Sequence, residues 1–206
     1  QTAREDSQVR AILVSANGKG FCAGQDLAEV TGENAPQSLS EYVADRYNPL
    51  VRLVRETEKP VICAVNGIAA GAGANFAFCC DLIFAAESAT FVQAFSKIGL
   101  LPDTGGTFFI ARLIGLARAT RLMFLNEKIT AKQAEDWGLI YKVVPDASLE
   151  KEAVALAAKL ASEPTKSFAL IKHALNQSFS NTLQQQLLLE QDYQGIAGCT
   201  EDYQEG

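Results

Sequence analysis

The chain has 206 residues, of which 48% are hydrophobic, enough for one domain with an appendage and a sizeable core. A net charge of -6, with no basic stripe carrying interleaved aromatics, excludes nucleic acid as the main partner. Charged residues interrupt every long apolar run, so nothing reads as a membrane span or a secretory core, and a cytoplasmic protein is expected. Gln1 is not an initiator, which leads us to expect an upstream segment.

The five cysteines, Cys22, Cys63, Cys79, Cys80 and Cys199, are odd in number and lack CxxC spacing. They read as reduced, mostly core residues, with Cys22 beside a glycine-rich turn. The single histidine, His173, falls on a helical face. One histidine and no cysteine pair leave no basis for a zinc site or a Ser-His-Asp triad, and no metal or separate cofactor is expected.

In chain order, Val9-Arg-Ala-Ile-Leu-Val-Ser15 is a strand by its β-branched content, followed by a turn at Asn17-Gly18. Lys19-Gly-Phe-Cys-Ala-Gly-Gln-Asp-Leu27 reads as a glycine-flanked loop able to bring backbone N–H groups to a ligand, with Asp26 bracing it. Residues 31–37 read as a mobile surface loop. Ser38-Leu-Ser-Glu41 has the capping-box pattern, and Val43, Tyr47, Leu50, Val51 and Val54 keep helical spacing, with a kink expected at Pro49. Val61-Ile-Cys-Ala-Val-Asn-Gly67 is a short buried strand, and the Gly/Ala-rich turn after it runs into a helix from about Ala72. The unpaired amides at such a helix start favour a negative oxygen.

Asp81-Leu-Ile-Phe-Ala-Ala86 and Thr90-Phe-Val-Gln93 read as further strands, and Ala94 to Gly106 places Asp103 in an apolar segment. Gly105-Gly106 opens a helix to about Leu113, resumed from Ala117 to Leu125 after a break at Gly115. Thr130-Ala-Lys-Gln133 is a second capping box, stopped by Gly138, and Tyr141-Lys-Val-Val144 is the last strand. From Ser148 the pattern is helical only: Glu150 to Ser162, Thr165 to Phe179, and a helix capped by Thr182. Such a tail must cover its apolar faces on the core or on a neighbouring subunit.

Four ordered motifs resemble the enoyl-CoA hydratase/isomerase (crotonase) superfamily over essentially the whole chain. They are Gly20-Phe-Cys-Ala-Gly-Gln-Asp-Leu27; Lys59-Pro-Val-Ile-Cys-Ala-Val-Asn-Gly67 with Ala70-Gly-Ala-Gly-Ala74; Cys80-Asp81; and Gly99-Leu-Leu-Pro-Asp-Thr-Gly-Gly106. Tyr47-Asn-Pro-Leu-Val51, Ala94-Phe-Ser-Lys97, Leu101-Pro-Asp103 and the tail Asp192-Tyr-Gln194 with Glu201-Asp-Tyr203 are most similar to the branch of ring-epoxide isomerases acting in phenylacetate degradation. The resemblance implies an α/β fold, a spiral of ββα turns with a C-terminal helical region. It divides the chain into a core with an acyl-CoA site over 1–128 and an oligomerising helical region over 129–206. It further implies a homotrimer or dimer of trimers, more chain upstream of Gln1, and a last apolar helix beyond Gly206.

The implied substrate is an acyl-CoA thioester, so that coenzyme A belongs to the substrate. The amides of Ala23 and Ala72 match the oxyanion hole, and Ala23, Gln25, Asp26, Leu27, Gly71, Ala72, Asn75 and Phe95 match substrate-binding positions. Asn75 and Phe95 stand where the superfamily's hydratases carry two glutamates. Neither is a base, although Asn75 could bond a ligand, a water or the nearby backbone. Asp103 matches the catalytic aspartate of the isomerases; its own surroundings also allow it to cap the following helix. Isomerisation of ring-1,2-epoxyphenylacetyl-CoA to its oxepin thioester is the first expectation. A 3-to-2 double-bond shift, a hydratase and a non-catalytic acyl-CoA binder are the alternatives. Asp26 and Asp81 also read as structural carboxylates.

Overall fold

The computed structural model describes residues 2–26 and 37–205. After a short helix, α1 (Thr2–Glu5), come β1 (Ile12–Ser15), β2 (Gly20–Cys22), α2 (Leu39–Glu56), β3 (Val61–Val65), β4 (Ile68–Ala70) and α3 (Ala72–Phe78). They are followed by β5 (Leu82–Ala86), β6 (Thr90–Val92), a 3-10 turn (Phe95–Ile98) and α4 (Gly106–Leu125). Then β7 (Ile129–Thr130), α5 (Ala131–Asp136) and β8 (Lys142–Val144) lead to α6 (Leu149–Ser162), α7 (Thr165–Ser178), α8 (Leu183–Ala197) and α9 (Glu201–Glu205).

The strands form two four-stranded sheets, ordered β1-β3-β5-β8 and β2-β4-β6-β7. Each of the pairs β1β2, β3β4 and β5β6 sends its first member to the first sheet and its second to the other, and a helix then returns the chain. Three such ββα turns, β1β2α2, β3β4α3 and β5β6α4, make a spiral. The first sheet is parallel throughout, with Ile12 opposite Val61 and Ile62 opposite Leu82. The second is parallel except where β7 returns beside β6. Every residue of β3 is buried, as expected of a central parallel strand covered on both faces, and α6 packs across β1, β3 and β5.

Helix signals read from sequence are realised at the caps. Ser38 accepts from the Glu41 amide, while Thr130 with Gln133 and Thr182 with Gln185 form reciprocal capping boxes. Gly115, at φ 76 and ψ 160, breaks α4 where the sequence places the break.

Two glycine-rich segments are not the turns expected of them. Gly20–Cys22 and Ile68–Ala70 are the paired strands β2 and β4. A run of three residues is too short for alternation to show, and the small side chains serve close packing: a Cβ on Gly67 would lie 2.2 Å from the Lys19 carbonyl oxygen. α2 runs unbroken through Pro49. The expected loop over 31–37 lies outside the described residues except at Gln37.

Asp81 joins three elements. Its carboxylate meets Arg55 of α2 at 3.0 Å and Lys172 of α7 at 2.8 Å, and accepts the Val61 amide at 2.9 Å. Its structural role is thus explicit. Cys63, Cys79 and Cys80 are buried; hydrogen bonding of Cys79 with Cys80 and of Cys80 with Cys63, added to by burial, pushes the Cys79 and Cys80 thiols far up, leaving them inert. Cys199 is exposed at the end of α8 rather than in the core. Among the described residues no helix is long and apolar enough to cross a membrane, and no cluster of three potential metal ligands occurs.

Candidate active site

A cavity of about 1170 Å³ opens between α2, the segment after β2, the start of α3 and residues 93–103. α2 gives it one wall, including Tyr42, Val43 and Tyr47, whose hydroxyl donates to the Gln25 side-chain oxygen.

The opposite wall is nearly bare backbone. Gly24 has φ +89, and a Cβ on it would lie 3.0 Å from the Ala70 oxygen and 3.2 Å from the Ala72 nitrogen. Only a residue without a side chain lets the 23–26 segment come this close to the start of α3 without strain. Gly71, at φ 52 and ψ -127, caps α3 with no side chain and leaves the Ala72 amide in the first turn, without an intrahelical acceptor. Ala23 and Ala72 both line the cavity, as do Gln25, Asp26, Gly71 and Phe95. Phe95 is 8% exposed and lies across from Gly71, so it walls the pocket. Leu27 lies outside the described residues.

Asp103 is half-buried in the same cavity. Its carboxyl is pushed above the ordinary aspartate value because burial disfavours the charge, an effect opposed by the Thr104 hydroxyl, which donates to Oδ1 at 2.9 Å. It does not cap α4. Gly105 is the N-cap and receives no side-chain bond, and it is the Asp103 carbonyl that accepts the Gly106 amide, at 2.8 Å. The desolvation is partial because Ile98, Leu100 and Leu101 remain largely exposed on the cavity side. Asp26 is the second carboxylate among the described lining residues, exposed at the rim where Asp103 is recessed.

Asn75 does not line the cavity. It is fully buried behind the wall, donating from Nδ2 to the Asp103 carbonyl at 2.8 Å and accepting from Gln93 Nε2 at 3.0 Å. Of the roles the sequence left open, contact with ligand or water is replaced by a bond to backbone. α3 turns its second-turn side chains inward under the 93–106 segment, and Gly106 makes room: a Cβ there would meet Asn75 Nδ2 at 2.3 Å. Gln93 and Thr104 escaped the sequence reading. Gln93 directly follows β6 and continues its inward face after Phe91, where a polar residue carries no motif of its own; only the left-handed backbone at Thr104, φ +52, would have singled that residue out, and it has no sequence signature.

Compared with known proteins, residues 1–206 match the enoyl-CoA hydratase/isomerase family. The chain belongs to this family. It is 49% identical to the 1,2-epoxyphenylacetyl-CoA isomerase of Escherichia coli, across the whole of this chain and 79% of that protein. It is 35% identical to the trans-2-decenoyl-acyl-carrier-protein isomerase of Streptococcus mutans, over 99% of this chain and 78% of that one. Among solved structures, an enoyl-CoA hydratase from Bacillus anthracis superposes with a TM-score of 0.90 at 32% identity, covering 100% of this chain and 79% of that one. The spiral is therefore the crotonase fold, and the chain is an enzyme of the hydratase/isomerase family.

Proposed function

We propose that this enzyme is an acyl-CoA isomerase whose proton carrier is Asp103 and whose oxyanion hole is formed by the Ala23 and Ala72 amides. The observation that carries the reading is the placement of a recessed carboxyl with a raised pKa in the same cavity as those amides. Asn75 and Phe95 offer no second base. A thioester oxygen held by two N–H groups stabilises the enolate formed when the α-carbon loses a proton. A single carboxylate then suffices: it takes the proton from that carbon and returns it to a carbon further along the acyl group, with no water consumed.

The Escherichia coli relative, a 1,2-epoxyphenylacetyl-CoA isomerase, supports ring-1,2-epoxyphenylacetyl-CoA as substrate; the product we propose is its oxepin thioester. The cavity, at about 1170 Å³, has room for an aromatic acyl group. Purified protein assayed side by side with the ring-epoxide thioester, a 3-enoyl-CoA and crotonyl-CoA tests this reading. Turnover of the ring epoxide is expected to dominate. Dominant 3-enoyl turnover would reassign the enzyme as a double-bond isomerase, and water addition to crotonyl-CoA as a hydratase. Asp103→Asn should bind CoA thioester but lose turnover and α-proton exchange in deuterated water; near-normal turnover removes Asp103 from its role.

We further infer self-association into trimers or dimers of trimers. α8 buries no residue of its own, and Leu183, Leu187, Leu188 and Ile196 are exposed along it. Sedimentation at micromolar concentration checks this, and a monomer would contradict it.

A further inference from the structure

The Asn75 side chain is engaged at both ends, and the direction of its bonds is fixed. The Asp103 carbonyl can only accept, so Asn75 presents Nδ2 to it and turns Oδ1 to Gln93, which must answer with Nε2. That orientation leaves Gln93 Oε1 buried with no partner among the described residues, in a residue 3% exposed. An unmatched buried oxygen is costly, and a methionine would fill similar space without it. The polar pair therefore does more than occupy volume.

What it holds is the peptide of Asp103. That carbonyl receives two hydrogens, one from Asn75 of α3 and one from the Gly106 amide at the start of α4, each at 2.8 Å. Gly106 lets the two approach, since a Cβ there would occupy the amide's place. We propose that Asn75 and Gln93 are positioning residues, an amide relay from the end of β6 through α3 that fixes the Asp103 main chain and with it the carboxylate in the cavity wall. Neither need touch the reacting atoms. The kinetic part of this inference rests on Asp103 being the proton carrier.

Asn75→Asp tests it in nearly the same shape. Protonated, the new carboxyl offers one O–H to the Asp103 carbonyl and one oxygen to Gln93, reproducing the amide's pattern; ionised, it has no hydrogen to give. The variant's pH–rate profile should gain a falling limb as the new carboxyl ionises, where wild-type activity rises as Asp103 ionises. Gln93→Met removes the relay's first donor and should lower kcat about tenfold or more with KM nearly unchanged, the pattern of a misplaced group. A readout needing no turnover is the carbon-13 NMR titration of the Asp103 carboxyl in ligand-free protein. Gln93→Met should displace that titration relative to wild type. Unchanged kcat together with an unchanged Asp103 titration overturns the relay, whether or not Asn75→Asp folds. A displaced titration in a protein that turns over none of the thioesters keeps the relay and overturns the isomerase reading instead.

Discussion

Thr104 donates its hydroxyl to Asp103 Oδ1 at 2.9 Å from a backbone conformation, φ +52, that β-branched residues avoid. The strain is of the order of 1–3 kcal/mol, and glycine would relieve it. What glycine lacks is the hydroxyl, which stabilises the ionised carboxylate against its partial burial. Thr104→Ser keeps the donor and should leave the acidic limb of the kcat/KM profile in place. Thr104→Ala loses it, so the limb should move to higher pH and activity at neutral pH should fall. Coincident profiles for the two variants would show that the bond does not tune Asp103.

The raised carboxyl of Asp103 also makes a stability prediction whose sign can be worked out. Its folded pKa lies above the unfolded value, so the native state binds more protons between the two. Its contribution is complete below the unfolded pKa and is lost as pH rises through the folded one. Asp103→Asn, which never ionises, should be more stable than wild type at neutral pH, by under about 2 kcal/mol as for other active-site replacements. That advantage should shrink towards zero on acidification below the unfolded aspartate value. Urea midpoints of the two proteins across that range measure it; a constant difference would mean that ionisation of Asp103 carries no cost.

Gly24 lets the 23–26 segment close on the start of α3, and adding one methyl tests the oxyanion assignment more cleanly than changing either alanine. Both proposed donors are backbone groups that survive side-chain replacement. In Gly24→Ala the new Cβ meets the Ala70 oxygen and the Ala72 nitrogen at 3.0 and 3.2 Å, and φ +89 is strained for any side chain. The segment must shift away from α3, so kcat should fall about 10²-fold, as when one oxyanion donor is lost. The expected stability loss is about 1–3 kcal/mol, too little to unfold most of a protein of ordinary stability. Retained kcat in the folded variant would contradict the assignment.

Much of this arrangement is legible in the amino-acid sequence. Capping boxes at Thr130 and Thr182, the break at Gly115 and the buried run Val61–Val65 are local signals, and the structure keeps them. The four motifs located one end of the cavity because its backbone walls require glycine and alanine in sequence. Strands β2 and β4 were hidden since their order comes from pairing across the spiral, not from periodicity within three residues. Asn75 could not be placed by its motif position alone. Whether an amide on α3 faces the cavity or the 103 carbonyl depends on how α4 approaches, which Gly106 decides from thirty-one residues away.

Asp81 supplies the last prediction, on the side of the molecule that braces α2 and α7 against β3 and β5. Lys172 is 6% exposed; burial pushes its ammonium below the ordinary lysine value, and the charge of Asp81 is the main opposing influence. Asp81→Asn keeps an acceptor for the Val61 amide but leaves Lys172 and Arg55 facing each other without a counter-charge. Since the cluster is partly open, with Asp81 21% exposed, the expected loss is at the low end for a broken buried pair, about 2–3 kcal/mol. Lys172→Met should cost less, because Asp81 keeps Arg55 at 3.0 Å and the Val61 amide. A base whose folded pKa is depressed binds fewer protons when native, so stability rises with pH between its folded and unfolded values. The deficit of Asp81→Asn should therefore narrow as alkaline pH removes the Lys172 charge, and combining it with Lys172→Met at neutral pH should cost less than the sum of the two. Denaturant titrations of the four proteins at neutral pH and near pH 10 give both quantities, and strict additivity with a pH-independent deficit would rule out the coupling.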